Sequence, residues 1–400
     1  MELGPINPDI LATDGSPIME AFRWLDAATL PQGKPLINVS QAAPALPPPE
    51  PLRRFMADTI LNDTGAHLYG PNFGFDPLRD ALAANITLRY GGAVTGDQIC
   101  ITAGCNQAYT AAIATLAQAG DEVIIPTPWY FNHQMWLVMN GIKPVPLSVG
   151  DDMLPDPNQA ATLINDRTRA IVLVSPNNPA GVEYPADLIR AFYDLARTNG
   201  LSLILDETYR DFHISSDAPH DLFTDPDWDK TLIHLYSFSK TYRLTGHRVG
   251  AFATSPKRLE QVEKYMDSTT ICTNQLAQRA ALWGLQNLDQ WVAGERAETL
   301  TRRKAIAQAF TDLDGWTLKG CGAYFAFVQY PHDMAAHDFA QRLLTQESIL
   351  ALPGSMFTPD HDPAARHCLR IAFANIDVDG ISQLHERLRH LSLAPLPGSA

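Results

Sequence analysis

The chain has 400 residues with 44 acidic and 30 basic side chains, a formal net charge of −14, and 46% apolar residues. That content can bury a large core and fill two domains, while the acidic balance argues against nucleic acid or an anionic membrane as a partner. No stretch reaches the about 18 uninterrupted apolar residues of a membrane span, and the five scattered cysteines contain no Cys-x-x-Cys pair, so neither a disulfide framework nor a metal site is expected.

The opening stretch, MELGPINPDILATDGSPIMEAF, has neither a basic n-region nor an apolar h-region, which reads as no secretory signal and a cytoplasmic chain. Pro-rich punctuation follows at Ala43–Pro51. ITAGCNQAYTAAIATLAQAG, at 101–120, reads as a short strand, a Gly-containing turn and an Ala-rich helix. Then come apolar runs at 122–126, 170–174, 201–205, 231–236 and 249–253, rich in Val, Ile and Leu, with helical stretches between. Runs that are apolar on both faces and separated by helices predict parallel strands of an open sheet. One connecting helix is explicit: Leu188, Ile189, Phe192, Leu195 and Ala196 recur at helical spacing, and Gly200 supplies the stop. The prediction is therefore an α/β domain with a mostly parallel sheet flanked by helices over 49–290. A smaller α+β domain is expected from 1–48 together with 291–400, ending in a Pro/Gly/Ser tail after Leu393.

Ligands bind beyond the carboxyl ends of strands in such sheets, and polar residues follow three of these runs: SPNNPAG, DETYRDF and SFSKTYRLTGHR. Asp206 closes an apolar run, so its buried carboxylate needs a partner to stay charged. A cation at ~4 Å and an effective dielectric of about 20 supplies about 4 kcal/mol, or roughly three pKa units. Lys240 and a protonated heteroaromatic nitrogen of a cofactor are the two candidates. Gly104, Cys105 and Asn106 at a helix start can donate backbone N–H groups to an anion, and Ser237 and Arg248 are side chains suited to a phosphate. One phosphate would also relieve the repulsion among Lys240, Arg243 and Arg248.

A phosphate, a pyridinium and a lysine together specify pyridoxal 5′-phosphate. Ser-x-Ser-Lys followed by Thr-Gly-x-Arg-Val-Gly, Asn-Asn-Pro-x-Gly, Asp-Glu-x-Tyr and a late Leu-Arg-Ile-Ala-Phe-Ala make the chain resemble the class I/II, fold-type I aminotransferases over nearly its whole length. INVSQAAPALPPPE and HLYGPNFGFDPLRDALA look most like the branch of kynurenine, glutamine and methionine aminotransferases. The resemblance implies that Lys240 holds the cofactor as an imine and later moves a proton. It implies that Asp206 pairs with the pyridinium, Tyr209 and Asn178 donate to the ring oxygen, and Tyr130 stacks on the ring, with Trp129 the runner-up. Cys105, Asn106, Ser237, Ser239 and Arg248 would surround the phosphate, and Tyr69 would reach the phosphate of a neighbouring subunit, implying a homodimer with shared sites. Arg370, inside the apolar run CLRIAFA, would bind the substrate α-carboxylate through a bidentate fork assisted by Asn178. Leu352–Phe357 matches a family turn facing the site.

Two departures bear on substrate. Many relatives have Gly-x-Pro where this chain reads Ala42-Ala43-Pro44, which puts a methyl group near the carboxylate pocket. A related branch of bacterial aspartate aminotransferases has lysine where this chain has Asn106. With Trp129, Phe131 and Tyr69 nearby, the expected substrates are a neutral or aromatic amino acid and a 2-oxo acid, exchanged by a ping-pong mechanism. The motif set is shared with β-eliminating C–S lyases, which is the alternative. A cofactor-sensing regulator is a third reading, and it calls for an N-terminal helix-turn-helix for which the sequence before Tyr69 leaves no space.

Overall fold

The computed structural model describes residues 4–391 apart from 361, 363 and 364. The tail after Leu393 lies outside the described residues. Seven strands form the main sheet: β1 (Ile99–Thr102), β2 (Glu122–Thr127), β3 (Lys143–Ser148), β4 (Thr168–Val174), β5 (Ser202–Asp206), β6 (Leu232–Ser237) and β7 (Gly250–Ala253). Their spatial order is β1-β7-β6-β5-β4-β2-β3.

The pairs from β6 across to β3 are all parallel. β2, β5 and β6 are buried at every residue, as expected for strands covered on both faces. Alternate residues of one strand feed opposite cores: Ile171 and Leu173 pack with Leu203 and Leu205 on one side, Val172 with Ile204 and Ile233 on the other. The helix Ala186–Thr198 presents Ile189, Phe192 and Ala196 to the first core, each fully buried, and Gly200 at φ +67° ends it. Burial of Ile189 and Phe192 contributes about 1.5–3 kcal/mol each.

One expectation is corrected. The run 249–253 was grouped with the parallel strands, but β7 is antiparallel to both β6 and β1. A parallel return needs a crossover that recrosses the sheet. The link from Ser237 holds only a four-residue helix and a three-residue turn, so the chain doubles back. β3 lies at the sheet edge with alternating burial, which accommodates Pro144 and Pro146.

A second, antiparallel sheet is built from β8 (Thr317–Gly322), β9 (Phe325–Gln329), β10 (Leu352–Pro353) and β11 (Cys368–Ile371), in the order β10-β11-β9-β8. Ile306 and Phe310 of the helix Asp289–Thr311 share its core with Val328, Ile371 and Leu384. The N-terminal segment joins this unit through Ile37–Asn38, which pairs in parallel with Ile349–Leu350.

Candidate active site

β5 ends at Asp206 and β6 at Ser237, β4 ends at Val174 four residues before Asn178, and all four residues line one cleft of about 480 Å³. The helices α1 (Cys105–Ala114) and α2 (Phe131–Met139) begin at its rim. Cys105, Asn106, Tyr130, Tyr209, Ser239, Lys240, Arg248, Ala42 and Arg370 complete the convergence of predicted residues. Gly104 lies immediately before α1 at φ +84°, and a Cβ there would collide with the Arg248 guanidinium. Gly250 likewise lets β7 approach the start of α1, since a Cβ would lie 2.7 Å from the Cys105 nitrogen.

Asp206 is buried, and its partner is one the sequence reading did not name. His133 of α2 places Nε2 3.4 Å from Oδ2, while the Thr208 amide donates to Oδ1 at 2.9 Å. Burial opposes the charge, but the hydrogen bonds from His133 and Thr208 outweigh it and hold the carboxyl below its ordinary range. His133 is itself clamped, stacked on Tyr109 at 3.9 Å and edge-on to Tyr130 at 5.0 Å. The simple ion pair between Lys240 and Asp206 is not formed. Lys240 Nζ instead donates to the Ala42 carbonyl at 2.6 Å. Burial, then repulsion from Arg248 and Arg370, pulls the Lys240 ammonium down to about 8, so its neutral amine is accessible near neutral pH.

Arg370, on β11, is 2% exposed and has no carboxylate partner among the described residues. Nη1 donates to Asn178 Oδ1 at 3.0 Å and Nη2 to the Ser40 carbonyl, leaving Nε unpartnered. Phe325 and Phe357 flank the guanidinium at 5.1 and 4.9 Å. Burial lowers it to about 10, with the Tyr209 and Tyr130 phenols working the other way. A buried, uncompensated guanidinium is a site waiting for an anion. Among the described residues, Arg248 likewise bonds neutral oxygens, Thr245 O at 2.9 Å and Ser239 Oγ at 3.5 Å.

Tyr130 rather than Trp129 faces the cleft, its hydroxyl donating to Asn106 Oδ1 at 3.3 Å. Trp129 packs in the core, its amide bonded to the Phe357 carbonyl at 2.7 Å. Ser237 caps the short helix α3 (Phe238–Thr241) that carries Lys240. The Cys105 thiol is buried and pushed well up, first by desolvation and then by Asp206, which makes it inert as a nucleophile. Of the predicted site residues, Gly104 sits just behind the cleft lining, against Arg248, and Tyr69 lies outside the cleft, 82% exposed. Ser16, Ile18 and Met19 also line the cleft. They come from a distant segment, and no local pattern marks them.

The donor set suits pyridoxal phosphate: two guanidiniums without carboxylates, a helix start with free N–H groups beside Arg248, a buried ionised carboxylate, and an amine of lowered pKa. The comparisons agree. The family model described as aminotransferase class I and II matches residues 29–388. An aspartate aminotransferase of Thermotoga maritima is 27% identical over 332 residues, 82% of this chain and 86% of that protein. An aromatic aminotransferase of Arabidopsis thaliana is 28% identical over 375 residues, covering 88% of each. Among solved structures, a methionine aminotransferase from Escherichia coli superposes with a TM-score of 0.88 at 24% identity, covering 98% of this chain and all (100%) of that one. The Thermus thermophilus aspartate aminotransferase gives 0.86 at 23% identity, covering 97% and 99%.

Proposed function

Since the chain belongs to the class I and II aminotransferases, fold-type I enzymes that depend on pyridoxal phosphate, we propose that it moves an amino group between a neutral or aromatic L-amino acid and a 2-oxo acid, in two alternating half-reactions at one cleft. The observation that carries the substrate class is the charge inventory of that cleft. Among the described residues, its cations are Lys240, Arg248 and Arg370. Arg248 serves the cofactor phosphate, Arg370 the α-carboxylate, and Lys240 acts as an amine, so none remains for a second carboxylate. Ile18, Met19 and Phe131 add apolar wall beside the uncharged Ser16, Gln41 and Asn132.

Pyridoxal phosphate, when bound, supplies an electron sink for charge developing at the substrate Cα. Arg248, Ser237, Ser239 and the amides of Cys105 and Asn106 would hold its phosphate, with Gly104 leaving room for the guanidinium. Asp206, kept ionised by His133 and Thr208, would hold a proton on the ring nitrogen. Tyr130, Tyr209 and Asn178 line the cleft where the ring would sit, the first to wall it and the other two to donate to its oxygen. The Asn178 carbonyl is already taken by Arg370, which leaves its NH2 free to do so. Lys240, as a neutral amine, would take up and give back the proton at the substrate Cα. Arg370 fixes the carboxylate with its fork.

Placement in the kynurenine, glutamine and methionine branch rests on the N-terminal motifs. We also infer a cytoplasmic homodimer; the sharing of sites, with Tyr69 completing the partner's phosphate site, is supported by the exposure of that side chain away from its own cleft. The entry of Arg370 and Ala42 into the cleft from beside the second sheet supports a large unit of 49–290 and a small unit of 1–48 with 291–400. The test is a panel of amino acids with one oxo acid. Phenylalanine, methionine or leucine should exceed aspartate and glutamate at least about tenfold in kcat/KM, the worth of one unpaired buried charge contact, with parallel double-reciprocal lines. A faster dicarboxylate overturns the substrate class, and intersecting lines overturn the alternating scheme.

A further inference from the structure

Lys240 faces the cleft, but its neighbour Thr241 lines a different cavity of about 420 Å³. There the Thr241 hydroxyl donates to Asp211 Oδ2 at 2.7 Å. The same oxygen accepts the Tyr236 hydroxyl at 2.8 Å, and Arg89 Nη2 meets Oδ1 at 2.7 Å. Thr241 and Tyr236 are also 3.0 Å apart. Asp211 is only 6% exposed and belongs to the turn Arg210–Phe212, directly after Tyr209. One buried carboxylate thus ties the turn after Tyr209 to the last stretch of β6 and to α3. Burial opposes its charge, yet Arg89, Arg210 and the two hydroxyls keep it ionised, so each contact is a charge-assisted bond.

We propose that Asp211 is a positioning residue that holds Lys240 in register with Tyr209, acting through the Thr241 hydroxyl. None of the functional readings above involves this carboxylate, although the proposal rests on Lys240 being the reacting amine. An amine displaced by about 1 Å loses on the order of a hundredfold in rate. The ground-state contacts of the substrate carboxylate, at Arg370, are untouched.

The test uses the holoenzyme with Thr241→Val, Thr241→Ser, Asp211→Asn and the Thr241→Val/Asp211→Asn double variant. Readouts are kcat, KM for the amino acid, and the visible circular dichroism per bound cofactor, which reports how the lysine-linked ring is held. Thr241→Val and Asp211→Asn should each lower kcat about ten- to a hundredfold, leave KM within about threefold, and alter the dichroic band. Thr241→Ser should stay near wild type, and the double variant should be no worse than Asp211→Asn. A folded, cofactor-saturated Thr241→Val with wild-type kcat and dichroism overturns the proposal, as do losses that multiply in the double variant. If Asp211→Asn does not fold, the Thr241 pair decides. Lys240→Ala is the separate control: retained turnover there sinks the functional reading itself.

Discussion

Replacing Arg370 by lysine keeps a charge but removes the fork, and the structure sets the size of the effect. The guanidinium spends Nη1 on Asn178 and Nη2 on the Ser40 carbonyl while Phe325 and Phe357 hold its plane. A lysine ammonium on a shorter, rotating stem does not serve Asn178, Ser40 and a substrate carboxylate together. Loss of one hydrogen bond between charged groups costs about 1.5–3 kcal/mol, which is roughly a 10- to 150-fold fall in kcat/KM. The assay follows the amino-acid half-reaction by the cofactor absorbance in single turnover. A primary amine without a carboxylate serves as the internal control. Arg370→Lys should slow the amino acid by that factor and leave the amine's much lower rate unchanged. A fall below about threefold, or an equal fall for both donors, refutes the assignment of the carboxylate to Arg370.

Three further outcomes are expected. In the folded apoprotein, burial and then the Arg248 and Arg370 guanidiniums pull Lys240 down to about 8, against 10.5 for an ordinary lysine. The unfolded chain therefore binds more protons between those values, and wild type should gain stability relative to Lys240→Met as pH rises from about 8 to 10.5; urea unfolding at both ends of the window checks this, and a constant difference contradicts it. Gly104→Ala forces a side chain into φ +84° and into the Arg248 guanidinium, so cofactor affinity should fall roughly tenfold or more, from strain of about 1–3 kcal/mol; a spectral titration with unchanged affinity would exclude that cradle. Glu207, wholly buried, accepts from Tyr90 at 2.5 Å and His234 at 2.8 Å and lies 3.3 Å from His220. Glu207→Ala should cost roughly 3–5 kcal/mol of unfolding free energy, and a loss under about 1 kcal/mol in denaturant would show the network to be dispensable.

Much of this site was legible because its residues directly follow buried strands. Asp206 and Ser237 each close an apolar run, and the rule that ligands gather at such ends brings them together without coordinates. His133 was missed for a physical reason: it reaches Asp206 from a different helix, and its orientation is set by stacking on Tyr109. A histidine just inside a helix after three consecutive aromatics, Trp129 to Phe131, was the available signal. Ser16, Ile18 and Met19 arrive through the packing of the N-terminal segment, a contact between residues far apart in sequence. The direction of β7 depends on how little chain separates it from Ser237 rather than on its own composition. Asp211 resembles any acidic residue in a polar turn until Thr241 and Tyr236 are seen to converge on it.

The central claim is that Lys240 and its cleft carry a complete amino-transfer half-reaction, and one measurement addresses it directly. Purified enzyme reconstituted with pyridoxal phosphate is mixed with a neutral or aromatic amino acid in the absence of any oxo acid, while the cofactor spectrum and released products are followed. The account predicts conversion of the lysine-linked band to the amino form of the cofactor, with one oxo acid released per site and no reaction in Lys240→Ala. Continued turnover of a cysteine S-conjugate to a thiol, pyruvate and ammonia with the lysine-linked band intact, or a Lys240→Ala protein that converts normally, would contradict it.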